Sequence, residues 1–214
     1  MGMKHQKISK ATLLLIAVLG WFALIAQFYL MINSKVNPLG ETIIRFFSYF
    51  TIDTNLLVAL CCSIHLLAPR SAAGRFFSRQ PTQAAIAIYI MIVGIVYNII
   101  LRQIWNPQGL QLVVDELLHL IIPILFFLYW LIFVPKDSLE WKYAFNWMLY
   151  PSIYGTFALL RGNASGFYPY PFIDMSILGL NKTLINVAGF VFIFLLAGLL
   201  FIAIGKWMSK KQRN

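Results

Sequence analysis

Val113-Val-Asp-Glu-Leu-Leu-His-Leu-Ile-Ile-Pro-Ile-Leu-Phe-Phe-Leu-Tyr-Trp-Leu-Ile-Phe-Val134 has only two charged side chains, Asp115 and Glu116. From Leu117 to Val134 there is no Asp, Glu, Lys or Arg. That run approaches the ~20 residues a helix needs to cross a hydrocarbon core at ~1.5 Å per residue. Five more runs of the same kind surround it, at about 11–32, 42–68, 84–104, 143–161 and 183–206. The whole chain is 214 residues, 60% hydrophobic and 11% charged, with a mean hydropathy of +0.77. A soluble domain carries roughly a quarter charged residues, so a water-solvated fold is excluded. The expected fold is all-α: a single transmembrane domain over residues 1–214, built as a bundle of six membrane helices.

The basic residues orient the bundle. Twelve of the seventeen Lys and Arg fall in the N-terminal segment (Lys4, Lys7, Lys10), the 69–83 and 135–142 loops, and the C-terminal tail (through Lys206, Lys210, Lys211 and Arg213). By the positive-inside bias those segments, and both termini, are expected on the cytoplasmic side. The net charge of +10 is distributed over membrane flanks, so it does not indicate nucleic-acid binding. Lys4, Lys7 and Lys10 resemble the start of a signal peptide, but the apolar stretch that follows is too long for one. It is expected to remain as the first helix. Trp105, Trp141, Tyr168, Tyr170 and Trp207 fall near span ends, as interfacial aromatics do. Cys61 and Cys62 are adjacent inside one apolar run and are read as small packing residues.

Ionisable groups within the hydrocarbon are costly and mark functional candidates. The second span collects Arg45, Ser48, Thr51, Asp53, Thr54 and Asn55 in eleven residues. At ~100° per residue, Ser48, Thr51, Thr54 and Asn55 share a helical face, and Asp53 points about 200° away from Thr51. In the fourth span Asp115 and Glu116 stand four and three residues before His119, so either carboxylate is placed to reach the imidazole. Counted from the span ends, Thr51 and His119 reach overlapping depths in the outer half of the bilayer. Arg102, Arg161 and Asp174 lie toward that same side. A hydroxyl, an imidazole to deprotonate it and a carboxylate to orient the imidazole make a nucleophilic constellation. The arginines and Asn55 are candidates to stabilise an oxyanion or hold a substrate carboxylate. The same residues also suit a plain structural network, with threonines bonded to their own helix and His119 bridging helices.

Metal chemistry is disfavoured, and no cofactor is implied. Glu116-x-x-His119 supplies half of a di-iron carboxylate pattern, and the chain has three histidines and no second such pair. A transporter is the first functional rival, with Asp53, Asp115, Glu116 and His119 as a proton relay. Against it, no inverted repeat is evident, and between Leu56 and Leu67 only Ser63, His65 and the two thiols are polar. A non-catalytic, lipid-binding scaffold is the second. Between Gly162 and Lys182 the chain is irregular, and Tyr168-Pro-Tyr-Pro-Phe-Ile-Asp174 favours an extended backbone. That segment is read either as a lid over the outer mouth or as an ordinary connector. Gly189, Ala197 and Gly198 offer a small-residue surface for a homodimer.

Three segments together resemble the androgen-induced and androgen-dependent six-span membrane hydrolases and their bacterial relatives. They are Arg45-Phe-Phe-Ser-Tyr-Phe-Thr51-Ile-Asp-Thr-Asn55, His119-Leu-Ile-Ile-Pro123-Ile-Leu-Phe-Phe, and Gly166-Phe-Tyr-Pro-Tyr-Pro-Phe-Ile-Asp174. The resemblance implies a threonine hydrolase that cleaves fatty acid esters of hydroxy fatty acids within the membrane. It carries Thr51 over as nucleophile and His119 as general base, with Thr54 as the alternative hydroxyl. The acidic pair Asp115-Glu116 departs from the eukaryotic members, and Asp53/Asn55 sits closer to the bacterial branch. From the residue types themselves Asp115, or else Glu116, is the expected orienting group, and Arg45, Ser48, Asn55, Glu116, Arg102, Arg161 and Asp174 are the expected substrate contacts. The substrate would be a membrane lipid or fatty acid ester, and the location a bacterial inner membrane.

Overall fold

The computed structural model describes residues 3–213, and among them every regular element is helical. Five helices are long and apolar enough to cross a bilayer: Met3–Asn33, Phe50–Leu67, Gln80–Gln103, Gly109–Phe133 and Met175–Lys211. The chain divides into two compact units, Met1–Pro135 and Lys136–Asn214.

In the first unit, α1 (Met3–Asn33), α3 (Phe50–Leu67), α5 (Gln80–Ile99) and the span formed by α6 (Gly109–Glu116) and α7 (Ile122–Phe133) pack together. Lipid tails are as apolar as leucine, so helices associate in a bilayer by close fit and hydrogen bonding. Small residues permit that fit here. A Cβ at Gly20 of α1 would lie 3.2 Å from the Ala59 Cβ of α3. The Trp21 indole donates to Ser63 Oγ across the same pair (3.0 Å). Both cysteines are buried free thiols. Their burial agrees with the packing role read from the sequence.

The expected second span, 42–68, is broken. Its first part is a short helix, α2 (Leu39–Phe46), and Tyr49 is extended before α3 begins at Phe50. Ser48 Oγ donates to the Ile44 carbonyl (2.6 Å), and the Ser48 N–H reaches only three residues back, to Arg45. This local competition ends the helix in a tight turn. The Tyr49 carbonyl then accepts from both Ile52 and Asp53 and starts α3. Thr51 is therefore the second residue of its helix, and its depth cannot be counted from residue 42 along one continuous span.

After α3 the chain turns through α4 (Ala72–Phe77), where Ser71 Oγ accepts from the Gly74 N–H. The fourth span starts at Gly109, four residues before the sequence expectation, and a π-helical turn at Leu117–Ile121 divides it.

The second unit contains α8 (Tyr143–Asn146), α9 (Leu149–Ser165) and α10 (Met175–Arg213). Residues 143–161, expected as one span, are divided between α8 and the 17-residue α9. Gly166, at φ 70°, ends α9 in the left-handed conformation that glycine adopts without strain. The aromatic-proline segment folds back on its own unit. A Cβ on Gly162 would overlap the Tyr168 ring, Tyr170 stacks on Phe172 (5.1 Å), and Asn186 Nδ2 donates to the Phe172 carbonyl (2.8 Å). Gly179, at φ 73°, interrupts α10 near its start. Of the glycines expected to face a second copy, Gly198 packs within the unit: a Cβ there would lie 3.4 Å from Ala144 and 3.5 Å from the Trp147 ring.

Candidate functional site

The polar residues of the second and fourth spans come together in the first unit. Thr51, Thr54 and Asn55 are buried on α3, while Asp53 is only partly so, which matches the expected face. Ser48 is fully buried, in the turn before α3. His119 and Asp115 are buried at 8% and 5% exposure.

Asn55 links the two spans. Its Nδ2 donates to the Thr51 carbonyl of its own helix (2.9 Å) and to the carbonyl of Leu118 (3.2 Å), the residue before His119. Both acceptors are carbonyl oxygens, so the amide's orientation follows from its neighbours. Asn55 thus ties the Thr51 turn to the His119 turn on adjacent elements, although the span ends from which their depths were counted have both moved. With both amide protons given to carbonyls, Asn55 is not the oxyanion donor the sequence proposed. Its Oδ1 is buried without a hydrogen-bond partner among the described residues.

The imidazole is held on two sides. His119 Nδ1 lies 3.0 Å from the backbone carbonyl of Asp115. A carbonyl only accepts, so Nδ1 carries the proton and Nε2 presents its lone pair. The Tyr97 ring stacks on one face of the imidazole, with centroids 3.8 Å apart and planes 11° apart. The sequence assigned the orienting role to a carboxylate, and here the peptide oxygen takes it. Asp115 Oδ1 is 3.9 Å from Nδ1, beyond hydrogen-bond reach. Glu116 turns instead to Arg102 (2.6 Å).

Three neutral donors meet the Asp115 carboxylate. Trp105 Nε1 (2.6 Å) and Tyr97 Oη (3.3 Å) donate to Oδ2, and Gln111 Nε2 (3.2 Å) donates to Oδ1. Gln111 also donates to Gln27 Oε1 on α1 (2.7 Å). An ionised carboxylate has lone pairs for all three bonds, so Asp115 gathers α1, α5, α6 and the 100–108 loop around His119. The sequence reading did not single out Tyr97, Gln111, Gln27 or Asn98. A signal existed for Asn98, an amide inside the apolar 84–104 run. Trp105 had been read as an interfacial aromatic; its ring is half exposed, yet its N–H is committed to Asp115.

The expected arginines are mostly engaged. Arg45 pairs with Glu41 one helical turn away (2.6 Å). Arg102 lies over the Tyr97 ring (5.4 Å) as well as on Glu116. Arg161 and Asp174 belong to the second unit. There Arg161 covers the Phe167 ring (4.9 Å) and Asp174 Oδ1 accepts from the Ser176 N–H (2.9 Å). Among the described residues, no group of three His, Cys, Asp or Glu is placed to hold a metal ion. No protein-family model matches the chain, and no curated protein or solved structure is significantly similar to it.

Proposed function

We propose that this protein is an intramembrane threonine hydrolase of lipid esters, with Thr51 as nucleophile and His119 as general base. One observation carries the reading. Asn55 ties the Thr51 turn to that of a histidine whose Nδ1 is bonded to a carbonyl, which leaves Nε2 as the base of the neutral imidazole. A hydroxyl becomes a useful nucleophile only beside such a base. The resemblance to the six-span threonine hydrolases rests on these same residues and agrees with it.

The ester enters from the lipid with its carbonyl at Thr51. The Thr51 Oγ–H proton passes to His119 Nε2 as Oγ bonds to the carbonyl carbon. The tetrahedral oxyanion forms at the first turn of α3, where the positive end of the helix dipole favours negative charge. Collapse breaks the ester C–O bond, and the Nε2 proton leaves with the alcohol. Water, deprotonated by Nε2, then attacks the acyl carbon; the acyl–Oγ bond breaks, Nε2 returns the proton to Thr51 Oγ, and the acyl group leaves as a carboxylic acid. Asp115 acts through its backbone oxygen and by holding Trp105, Tyr97 and Gln111 in place.

In this reading the segment Tyr143–Ser165 supplies a sixth crossing. At ~1.5 Å per residue its 17-residue helix spans about 26 Å, close to the hydrocarbon thickness. Both termini then lie on one side, the cytoplasmic side by charge, in a bacterial plasma membrane.

The test is fluorophosphonate labelling of detergent-solubilised protein, with each sample first shown monodisperse by size exclusion. Wild type should label, Thr51→Ala and His119→Gln should lose at least about tenfold, and Thr54→Ala should label normally. Wild-type protein that stays folded and does not label would sink the hydrolase. Loss confined to Thr54→Ala would keep the chemistry and move the nucleophile.

A further inference from the structure

We infer that Asn55 and Asn98 are positioning residues for His119: with Pro123 they hold a one-residue π insertion that sets the rotation of the imidazole. The Ile122 N–H donates five residues back, to the Leu117 carbonyl, and Pro123 has no N–H. The Leu118 carbonyl is thereby denied both its α-helical donor, residue 122, and its π-helical donor, residue 123. The His119 carbonyl loses its α-helical donor at the same proline. In a bilayer no bulk water can substitute, so such carbonyls must be satisfied by protein.

Two asparagines from two different helices do this. Asn55 Nδ2 on α3 reaches the Leu118 carbonyl (3.2 Å), and Asn98 Nδ2 on α5 reaches the His119 carbonyl (3.1 Å). Each also donates to the carbonyl four residues back on its own helix, at Thr51 (2.9 Å) and Gly94 (2.8 Å). Both rotamers are thus fixed at two points. Gly94 lets α5 approach, since a Cβ there would stand 3.0 Å from the His119 oxygen and 3.2 Å from the Pro123 ring.

The insertion has a rotational consequence. One extra residue turns everything before it by about 100° relative to α7. Only with that turn does α6 direct Asp115 to Trp105 and Gln111 to Gln27 while α7 keeps its own packing and Tyr97 covers the imidazole. The inference stands apart from the hydrolase reading: it concerns the rotation and tautomer of His119 and holds equally for a structural histidine.

The experiment uses full-length protein labelled with ¹⁵N-histidine, in nanodiscs, with His119→Gln identifying one signal among the three histidines. Wild type should show a single Nδ1–H tautomer at His119. Asn98→Leu should replace it with a tautomer mixture and lower the melting midpoint by about 2–8 °C, the range for one buried carbonyl left unpaired in a chain of this size. Pro123→Ala restores an N–H four residues after His119. In that background Asn98→Leu should shift the midpoint by less than about a third of its effect alone. Asn55→Leu should behave likewise, since residue 123 is also five residues after Leu118.

An unchanged tautomer and midpoint in Asn98→Leu would overturn the inference. So would an effect of equal size in the Pro123→Ala background, which would mean that Asn98 contributes packing alone. Should Asn98→Leu fail to fold, recovery of folded protein in the double variant supports the inference, and failure of both overturns it.

Discussion

Gly94→Ala is the most direct probe of how tightly α5 is pressed against the His119 turn. The added Cβ would stand 3.0 Å from the His119 oxygen, 3.2 Å from Pro123 Cβ and 3.4 Å from Pro123 Cγ. Comfortable carbon contacts begin near ~3.5 Å, so the helices must part by roughly 0.5 Å. The Asn98–His119 bond, 3.1 Å at present, would then stretch to about 3.6 Å and be lost. Overpacking costs about 1–3 kcal/mol and the lost hydrogen bond about 1 kcal/mol. Exchanging glycine for alanine within a helix returns about 1 kcal/mol. The net is a destabilisation of about 2 kcal/mol, or roughly 4–8 °C in melting midpoint for a chain of this length. Thermal unfolding of purified protein in one detergent, followed by tryptophan fluorescence and by loss of the monodisperse peak, measures it. Gly155→Ala and Gly189→Ala are the controls, because a Cβ at either meets nothing within 4 Å. They should leave the midpoint unchanged or raise it slightly. Gly94→Ala protein as stable as its controls would refute the close contact and the reasoning built on it.

Four further outcomes are expected. Trp105→Phe removes the shortest donor to Asp115 and should lower the midpoint by about 2–8 °C, whereas Trp141→Phe, half exposed, should not. Arg102→Met breaks a partly exposed ion pair and should change stability by no more than about 1 kcal/mol, so a larger loss in chemical denaturation would point to another role for the guanidinium. Gly162→Ala should expel the Tyr168 ring and speed chymotryptic cleavage after the adjacent Phe167, and an unchanged rate would refute the packing. Burial lowers the Lys136 amine to about 8 from its usual 10.5. Between those values the unfolded chain binds more protons, so Lys136 makes stability rise with pH from about 8 to 10.5, while below about 8 its penalty is fully present. Lys136→Met should flatten that rise in a melting series, and an identical pH profile would remove Lys136 as its source.

Much of the architecture is legible in the residues because the bilayer imposes a simple rule. Long apolar runs must become helices, so the first, third, fourth and last spans fall close to where hydropathy puts them. The inward face of α3 is equally legible, since Thr51, Thr54 and Asn55 follow the helical period. The break at Phe47–Tyr49 is not, because Arg45-Phe-Phe-Ser-Tyr-Phe-Thr51 contains no proline or glycine, and a serine bonding to its own backbone ends the helix. Residues 143–161 divide at 147–148, just before Pro151, which lacks an N–H and is accommodated in the first turn of α9. Tyr150, Pro151, Ser152 and Tyr154 leave α9 short and weakly apolar for a span.

At the site, chemistry was readable one residue at a time, and partnership was not. Thr51, His119 and the acidic pair stand out because ionisable groups in an apolar run are costly, and that cost needs no neighbour to be seen. Which atom orients His119 depends on the helical path between Asp115 and His119. A π turn brings the peptide oxygen to 3.0 Å and leaves the carboxylate at 3.9 Å. Which amides satisfy Leu118 and His119 depends on how α3 and α5 approach Pro123. The sequence alone therefore determined a helical membrane protein with polar groups gathered in its second and fourth spans, because hydrophobicity and periodicity are local properties. Only the tertiary structure decided that the Asp115 backbone fixes the tautomer while Asn55 and Asn98 hold the turn. Hydrogen bonds between residues 21 and 63 positions apart, reaching within 3.2 Å, exist only once the helices have packed.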